Sequence, residues 1–308
     1  MKHIVSVSLG SSVRDHKAET SFFGEPFIIE RRGCDGDMRK AKSILAELDG
    51  KVDAIGLGGL DVYLSSRKGR YALKEGLALL EILKKTPAVD GSGLKNTLEP
   101  EMLSYIEKDE RFPLKNKNVM MVCAMDRLGM AEVFVEAGAK TLFGDIIFAL
   151  GKDQPIYSLD ELGDIADKII PELSKLPLAF IYPMGKKQTL PPENKYPQYY
   201  EWSDYIAGDF HFIRKYMPPR MDGKIIITNT VTNNDINDLK ERGISYIITT
   251  TPEFNGRSFG TNVIEAVIIS ILNKPWEEIS KQEYLDLIRK LELKPRIEAL
   301  NLQTVNNF

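Results

Sequence analysis

Two cysteines, three histidines and two tryptophans are all that 308 residues hold of those types. With only Cys34 and Cys123, a disulfide framework and a cysteine-rich zinc site are both excluded. His3, His16 and His211 are too few for a metal centre of several imidazoles. No apolar run approaches the ~20 residues of a membrane-spanning helix. The opening stretch Met1–Val7 is a short apolar run, without the plan of a secretory leader. The net charge of −3 does not supply the basic surface that nucleic acid or an anionic membrane demands. These absences together predict a cytoplasmic protein with no metal, no nucleic-acid partner and no membrane partner. A small-molecule substrate remains as the expected partner, and a homodimer is the self-association the sequence allows.

The chain is about twice the ~150 residues of one globular domain, which predicts two domains. Short β-rich runs alternate with helical runs throughout. Ile4–Leu9 reads as a strand ending at Gly10-Ser11-Ser12, followed by a hairpin of Thr20–Phe23 and Phe27–Glu30 around Gly24-Glu25, a pair suited to a type II′ turn. Met38, Ala41, Ile44, Leu45 and Leu48 recur at helical spacing, behind Asp35 and Asp37, whose charge suits a helix N-terminus. Val52–Leu57 and Ala88-Val89 read as strands, and 97–110 as a helix. Further strands are expected at Val119–Cys123, Lys140–Phe143, Leu178–Tyr182, Ile225–Thr230 and Tyr246–Thr250. Helices are expected at Leu128–Ala137, Asp235–Arg242 and over 202–211. Ser158 with Glu161, and Ser280 with Glu283, form capping boxes. The segment 261–273 is apolar nearly all round and should be a buried helix. Four prolines between 183 and 200 predict a loop, in which Lys186-Lys187-Gln188 would form part of a lid.

Strands separated by helices imply parallel βαβ units. The expected architecture is α/β: two Rossmann-like domains with parallel sheets and a ligand cleft between them. The division falls into an N-terminal substrate domain over 1–115 and a C-terminal dinucleotide-binding domain over 116–308, the latter with a Pro-rich insertion at 183–200. Parallel sheets bind ligands beyond the carboxyl ends of their strands, so the residues after each strand carry the chemistry.

Strand 119–123 runs into Ala124-Met125-Asp126-Arg127-Leu128-Gly129 and then a helix, whose free N–H groups suit a phosphate. Asp145 lies 21 residues beyond Ala124, about where a ribose-binding acid belongs. Gly129 alone survives of the G-x-G-x-x-G pattern. Thr228, Asn229 and Thr250 at two later strand ends complete the expected cofactor contacts, and Arg257 is a candidate anion ligand. In the first half, Ser8, Ser11 and Ser12 are expected to hold substrate. So are Ser92, Asn96 and Thr97 in the Gly-rich stretch Asp90–Thr97, and His211 from the second half. Lys95, with Asp90 or Asp61, has the chemistry of a base or proton relay for alcohol oxidation. A Ser–His hydrolase is excluded because no G-x-S-x-G elbow is present.

The segments Ser6–Ser12, Asp35-Gly36-Asp37, Val89–Thr97, Asp126–Glu132, Ala207–His211 and Thr228–Val231 resemble bacterial proteins labelled quinate 5-dehydrogenases, over nearly the whole chain. That resemblance implies the shikimate/quinate dehydrogenase type: an NAD- or NADP-dependent oxidoreductase acting on a small hydroxylated carboxylic acid. Its Lys–Asp pair would correspond to Lys95 with Asp90 or Asp61. Two other readings stay open: a non-catalytic two-domain ligand-binding or sensor protein, and a transferase or lyase using another nucleotide-containing ligand.

Overall fold

The computed structural model describes residues 1–182, 191–254 and 257–301. It divides into two compact α/β units, each with a largely parallel sheet, and both units are discontinuous in sequence. The first comprises Met1–Leu98, Gly163–Leu190 and Phe259–Leu293; the second comprises Glu99–Leu162, Pro191–Ser258 and Lys294–Phe308. This differs from a single division after residue 115.

In the first unit, β1 (Lys2–Ser8), β2 (His16–Phe22), β3 (Glu25–Gly33), β4 (Ala54–Gly58) and β7 (Ala88–Val89) form one sheet in the order β2-β3-β1-β4-β7. Only the β2–β3 pair is antiparallel. β5 (Tyr63–Ser66) and β6 (Gly69–Ala72) make a separate hairpin that sequence reasoning did not anticipate. Central β1 is buried from Ile4 to Ser8, as a parallel strand covered on both faces must be. The β2–β3 turn is Phe23-Gly24 rather than Gly24-Glu25, because Phe22 pairs with Glu25. Phe23 and Gly24 both have positive φ, which a type I′ turn requires and a type II′ turn does not. Asp37 caps the helix Met38–Leu48 by accepting from Arg39 N and Lys40 N, and Ala41, Leu45 and Leu48 turn inward.

The helix Thr261–Leu272 is buried without interruption from Thr261 to Ser270 and packs on β1, β4 and β7. Gly56 in β4 permits this approach, since a Cβ there would stand 2.6 Å from Asn262 O. Asn262 Nδ2 donates to Ser6 Oγ at 2.9 Å, inside the unit.

In the second unit, β8 (Asn118–Met121), β9 (Lys140–Phe143), β10 (Tyr205–Gly208), β11 (Ile225–Thr228), β12 (Tyr246–Thr249) and β15 (Arg296–Ala299) are ordered β15-β12-β11-β10-β8-β9. All pairs are parallel except β12–β15. A short antiparallel ribbon joins β13 (Glu253–Phe254) to β14 (Arg257–Ser258). Met120, Ile206, Ile226 and Ile247 are fully buried in the core of this unit.

Two expected elements change type. The expected helix over 202–211 is instead the end of the helix Pro197–Trp202, then β10, then the start of the helix Phe210–Lys215. A short apolar run such as Tyr205-Ile206-Ala207 has no period that separates a buried strand from a buried helix. Leu178–Ile181 is a helical turn behind Pro177, not a strand; only Leu178 of the four is buried. The expected lid residues Lys186-Lys187-Gln188 lie outside the described residues. Of the remaining Pro-rich segment, Pro197 opens a helix at its first position.

Replacing Gly56 by alanine drives a methyl into the Asn262 backbone. Gly56→Ala is expected to cost about 1–3 kcal/mol, the usual range for overpacking. Urea unfolding should show this as a lower midpoint with an unchanged slope.

Candidate functional site

At the strand ends of the first unit, Asp61 is the centre of a buried polar cluster. Its Oδ1 accepts from Lys95 Nζ at 2.6 Å and its Oδ2 from Tyr182 OH at 2.5 Å. Lys95 and Asp61 are each less than a tenth exposed. The structure therefore pairs Lys95 with Asp61 and gives Asp90 other work. Asp90 accepts from Val62 N at 2.6 Å and from Ser92 N and Oγ at 3.0 and 2.5 Å, closing the loop after β7. That turn needs Gly91, which has φ +94° and would bring a Cβ within 2.6 Å of Thr261 Oγ1. Thr97 is buried and donates to Gly93 O at 2.7 Å, while Asn96 is exposed.

The serine loop after β1 is tied inward. Ser8 Oγ accepts from Gly10 N at 3.1 Å and from Arg31 Nη2 at 3.0 Å. Ser11 Oγ accepts from Val13 N, and Ser12 N donates to Asp35 Oδ1. Arg31 also donates to Ser11 O and to Asp15 Oδ1. Sequence reasoning missed Arg31, which sits in β3 where nothing but its charge marks it.

In the second unit the turn expected to hold a phosphate is already occupied by the protein. Ala124 N and Met125 N donate to the two oxygens of Asp145, at 3.0 and 2.8 Å. Asp145 is thus the acceptor for the turn and is not turned to a ribose. Burial pushes its carboxyl up to about 6, against the opposing pull of the Met125 and Ala124 N–H groups. Asp126 is half-buried in the 3₁₀ turn Met125–Arg127. Arg127 is buried against Glu99, which sequence reasoning also missed, and its Nη2 reaches Asp209 Oδ2 at 3.5 Å. Leu128 and Gly129 begin the helix Leu128–Glu136, Gly129 buried within it.

Of the remaining expected ligands, Asn229 and His211 bond to Asp209. Asn229 Nδ2 donates to Asp209 Oδ2 at 3.0 Å, and His211 N donates to Oδ1 at 2.9 Å, so Asp209 caps the helix Phe210–Lys215. Burial alone would raise the Asp209 carboxyl, but the charges of His211 and Arg127 outweigh it and hold the group below its ordinary value. Thr228 is buried and donates to Asn229 Oδ1 at 3.2 Å. Thr250 N donates to Thr228 O at 2.8 Å, and its hydroxyl is buried without a partner among the described residues. The Arg257 side chain lies outside the described residues. Burial pushes the Cys34 thiol up to about 11 and raises Cys123 as well, which argues against thiolate chemistry at either. Among the described residues, no group of three or more His, Cys, Asp or Glu is placed to hold a metal ion. No helix among them is long and apolar enough to cross a membrane.

Residues 93–300 match a family described as a domain of unknown function (DUF8754). The chain belongs to that family. Residues 3–90 match a second domain of unknown function (DUF8753). No curated protein matches the chain. Similar solved structures include an arabinose-binding protein from Geobacillus stearothermophilus, at 10% identity and a TM-score of 0.37, covering 96% of each chain. Another is described as a periplasmic ribose ABC transporter from Conexibacter woesei, at 9% identity and a TM-score of 0.34, covering 93% of this chain and 94% of that one. A third is a sugar ABC transport substrate-binding protein from Bordetella parapertussis, at 11% identity and a TM-score of 0.35, covering 89% of this chain and 81% of that one.

None of these three is a quinate or shikimate dehydrogenase, and the resemblance drawn from the sequence is corrected accordingly. The oxidoreductase reading and the NAD or NADP cofactor go with it. The chain's own geometry gives the physical reason: Asp145 fills the acceptor role that a dinucleotide phosphate would take at the turn after β8. The cytoplasmic placement is withdrawn as well; the Conexibacter protein is described as periplasmic.

Asp145→Ala leaves two buried N–H groups without acceptors and is expected to cost about 1–3 kcal/mol for each. Its pH signature is separate. The folded carboxyl binds its proton up to about pH 6, and the unfolded one only up to about 3.9. The folded state therefore carries the extra proton between those values, and this group's contribution to stability falls as pH rises through that window, then levels off. Denaturant unfolding from pH 4 to pH 7 should show that slope in the native protein, and Asp145→Asn should remove it.

Proposed function

We propose that the protein is a non-catalytic binding protein for a small, hydrogen-bonding molecule, taken up at the strand ends of the first unit around Asp61, Lys95 and Tyr182. The observation that carries this reading is that Asp61 holds both a buried ammonium and a phenol on its two oxygens. If Lys95 gave up its proton, it would leave a buried carboxylate without its counter-charge, which is strongly unfavourable. The ion pair and the phenol on its second oxygen hold three polar side chains in fixed positions, which suits recognition. Ser8 and Arg31, bonded to each other at the end of the neighbouring strands, are the polar groups best placed on the same edge of the sheet to add contacts. Loops beyond the carboxyl ends of parallel strands are where such ligands bind.

The test is a thermal-shift and calorimetric screen of monosaccharides, polyols and hydroxy acids against the full chain. A ligand at ~100 times its dissociation constant stabilises by ~2.7 kcal/mol. Asp61→Asn is expected to weaken binding of any hit at least tenfold. Conversion of a hit to product by the unmodified protein, with or without an added dinucleotide, would overturn the non-catalytic reading. A hit whose affinity ignores Asp61→Asn would overturn the location.

A further inference from the structure

Glu265 is the sole charged residue of the buried helix Thr261–Leu272 and is only 2% exposed. Its Oε1 accepts from Tyr284 OH at 2.8 Å and from Gly93 N at 3.2 Å. Its Oε2 is buried with no hydrogen-bond partner among the described residues. A buried carboxyl oxygen left in this way marks a place where a donor is missing.

Glu265 lines a small open pocket, together with Asp90, Ser92, Tyr63, Arg70 and Trp276. The Asp90 oxygens are already taken by Val62 N and Ser92, so Asp90 offers the pocket charge rather than a vacant acceptor. On the aromatic side, the Arg70 guanidinium lies 3.8 Å from the centre of the Tyr63 ring and 4.5 Å from that of Trp276. These ring faces are thus already satisfied by Arg70, which leaves the carboxyl side of the pocket as the part open to a ligand.

We propose that this pocket is a subsite for the primary ammonium group of a small organic molecule, which donates to Glu265 Oε2. Once Glu265 ionises, its charge and that of Asp90 outweigh the single Arg70 guanidinium of the lining and disfavour an anion. A metal ion would want a larger ligand set than two acids, and the described residues contain no such group. The pocket leaves about 10 Å³ of free space, room for one head group the size of a water molecule and not for a larger one. An N⁺–H···O bond to a buried carboxylate is among the stronger hydrogen bonds available.

The subsite carries its own pH dependence. The groups facing Glu265 are Asp90 from the loop after β7, the backbone N–H groups of Gly91 and Gly93 in the turn that follows, and Tyr284 from the helix Lys281–Lys290; Arg70 of β6 acts on Tyr284. Burial first, and then the charge of Asp90, push the Glu265 carboxyl up to about 8. The acid is therefore neutral at pH 7 and must ionise to receive an ammonium. Binding expels a proton, and affinity rises with pH until about 8 and then flattens. None of these side chains belongs to the Asp61–Lys95–Tyr182 cluster, so this inference stands or falls separately from the proposed function.

Ethylammonium chloride is the probe, with ethanol as its neutral counterpart. Calorimetric titration of the full chain at pH 7 and pH 9, in two buffers of different ionisation enthalpy, reads affinity and proton release together. Ethylammonium is expected to bind about tenfold more tightly at pH 9 than at pH 7, with release of close to one proton at the lower pH. Ethanol is expected not to bind. Glu265→Gln should abolish the pH dependence. Equal affinity at both pH values, no proton release from the native chain, no binding of ethylammonium, or equal binding of ethanol would each overturn the proposal. The proton count comes from the native protein, so it decides the matter even if Glu265→Gln does not fold.

Discussion

The close seat of the helix Thr261–Leu272 on β1 and β4 is the contact on which the first unit depends. Ten successive buried residues leave this helix no solvent face, and Gly56 removes the one side chain that would hold it off the sheet. Asn262 then reaches Ser6 across 256 residues of chain. A sheet built from the first ninety residues is therefore covered by a segment that arrives late. The second unit must be entered and left before the first can close. This order makes both units discontinuous, and a large sequence separation between contacts favours slow folding. It also delivers Glu265 and Thr261 to the loop after β7, where Gly91 and Gly93 leave room for them.

Polar groups at the strand ends are settled mainly against each other. Arg127 lies between Glu99 and Asp209, Asp209 also accepts from Asn229 and His211, and Asp145 holds the turn after β8. Each charge is costly to bury alone, and each partner reduces that cost while fixing a geometry. Such networks rigidify the rim of a sheet. They also explain why a turn that looks able to receive a phosphate does not need one: the N–H groups of residues 124 and 125 require an acceptor, and Asp145 supplies it from within.

The alternation of strands and helices was legible because its signals are local. Most strand centres, the Asp37 region, the Ser280–Glu283 capping box and the all-apolar helix could be read from spacing alone. Tyr205–Gly208 could not, since a four-residue buried strand shows neither a two-fold nor a helical period. The antiparallel strand Arg296–Ala299 was also missed, its alternation of charged and apolar residues being too short to stand out. Lys95 and Asp61 were both visible as chemically interesting, but their pairing, and the exclusion of Asp90 from it, depend on how the loops after β4 and β7 are folded. Tyr182 was hidden at the end of a segment read as a strand. Arg31 and Glu99 were hidden because a single charge on a strand or helix ordinarily marks a solvated face. A lone glutamate in an otherwise apolar helix was the one strong signal that went unused.

The two buried acids with raised carboxyls are not equivalent. Asp145 has both oxygens committed to backbone N–H groups, so its proton competes with bonds the fold already makes. Glu265 has one oxygen committed to Tyr284 and Gly93 and the other without a hydrogen-bond partner among the described residues. Protonation of Asp145 relieves a burial cost within a finished structural unit. Both acids also feel a neighbouring carboxylate, Asp126 for Asp145 and Asp90 for Glu265, but of the two it is Glu265 that lines the small pocket. Similar desolvation therefore leaves the first acid serving the fold and the second with an oxygen that no described residue engages, beside the pocket proposed for an ammonium group. This contrast in hydrogen-bond commitment, more than the displacement of either carboxyl from its ordinary range, separates a structural acid from a binding one.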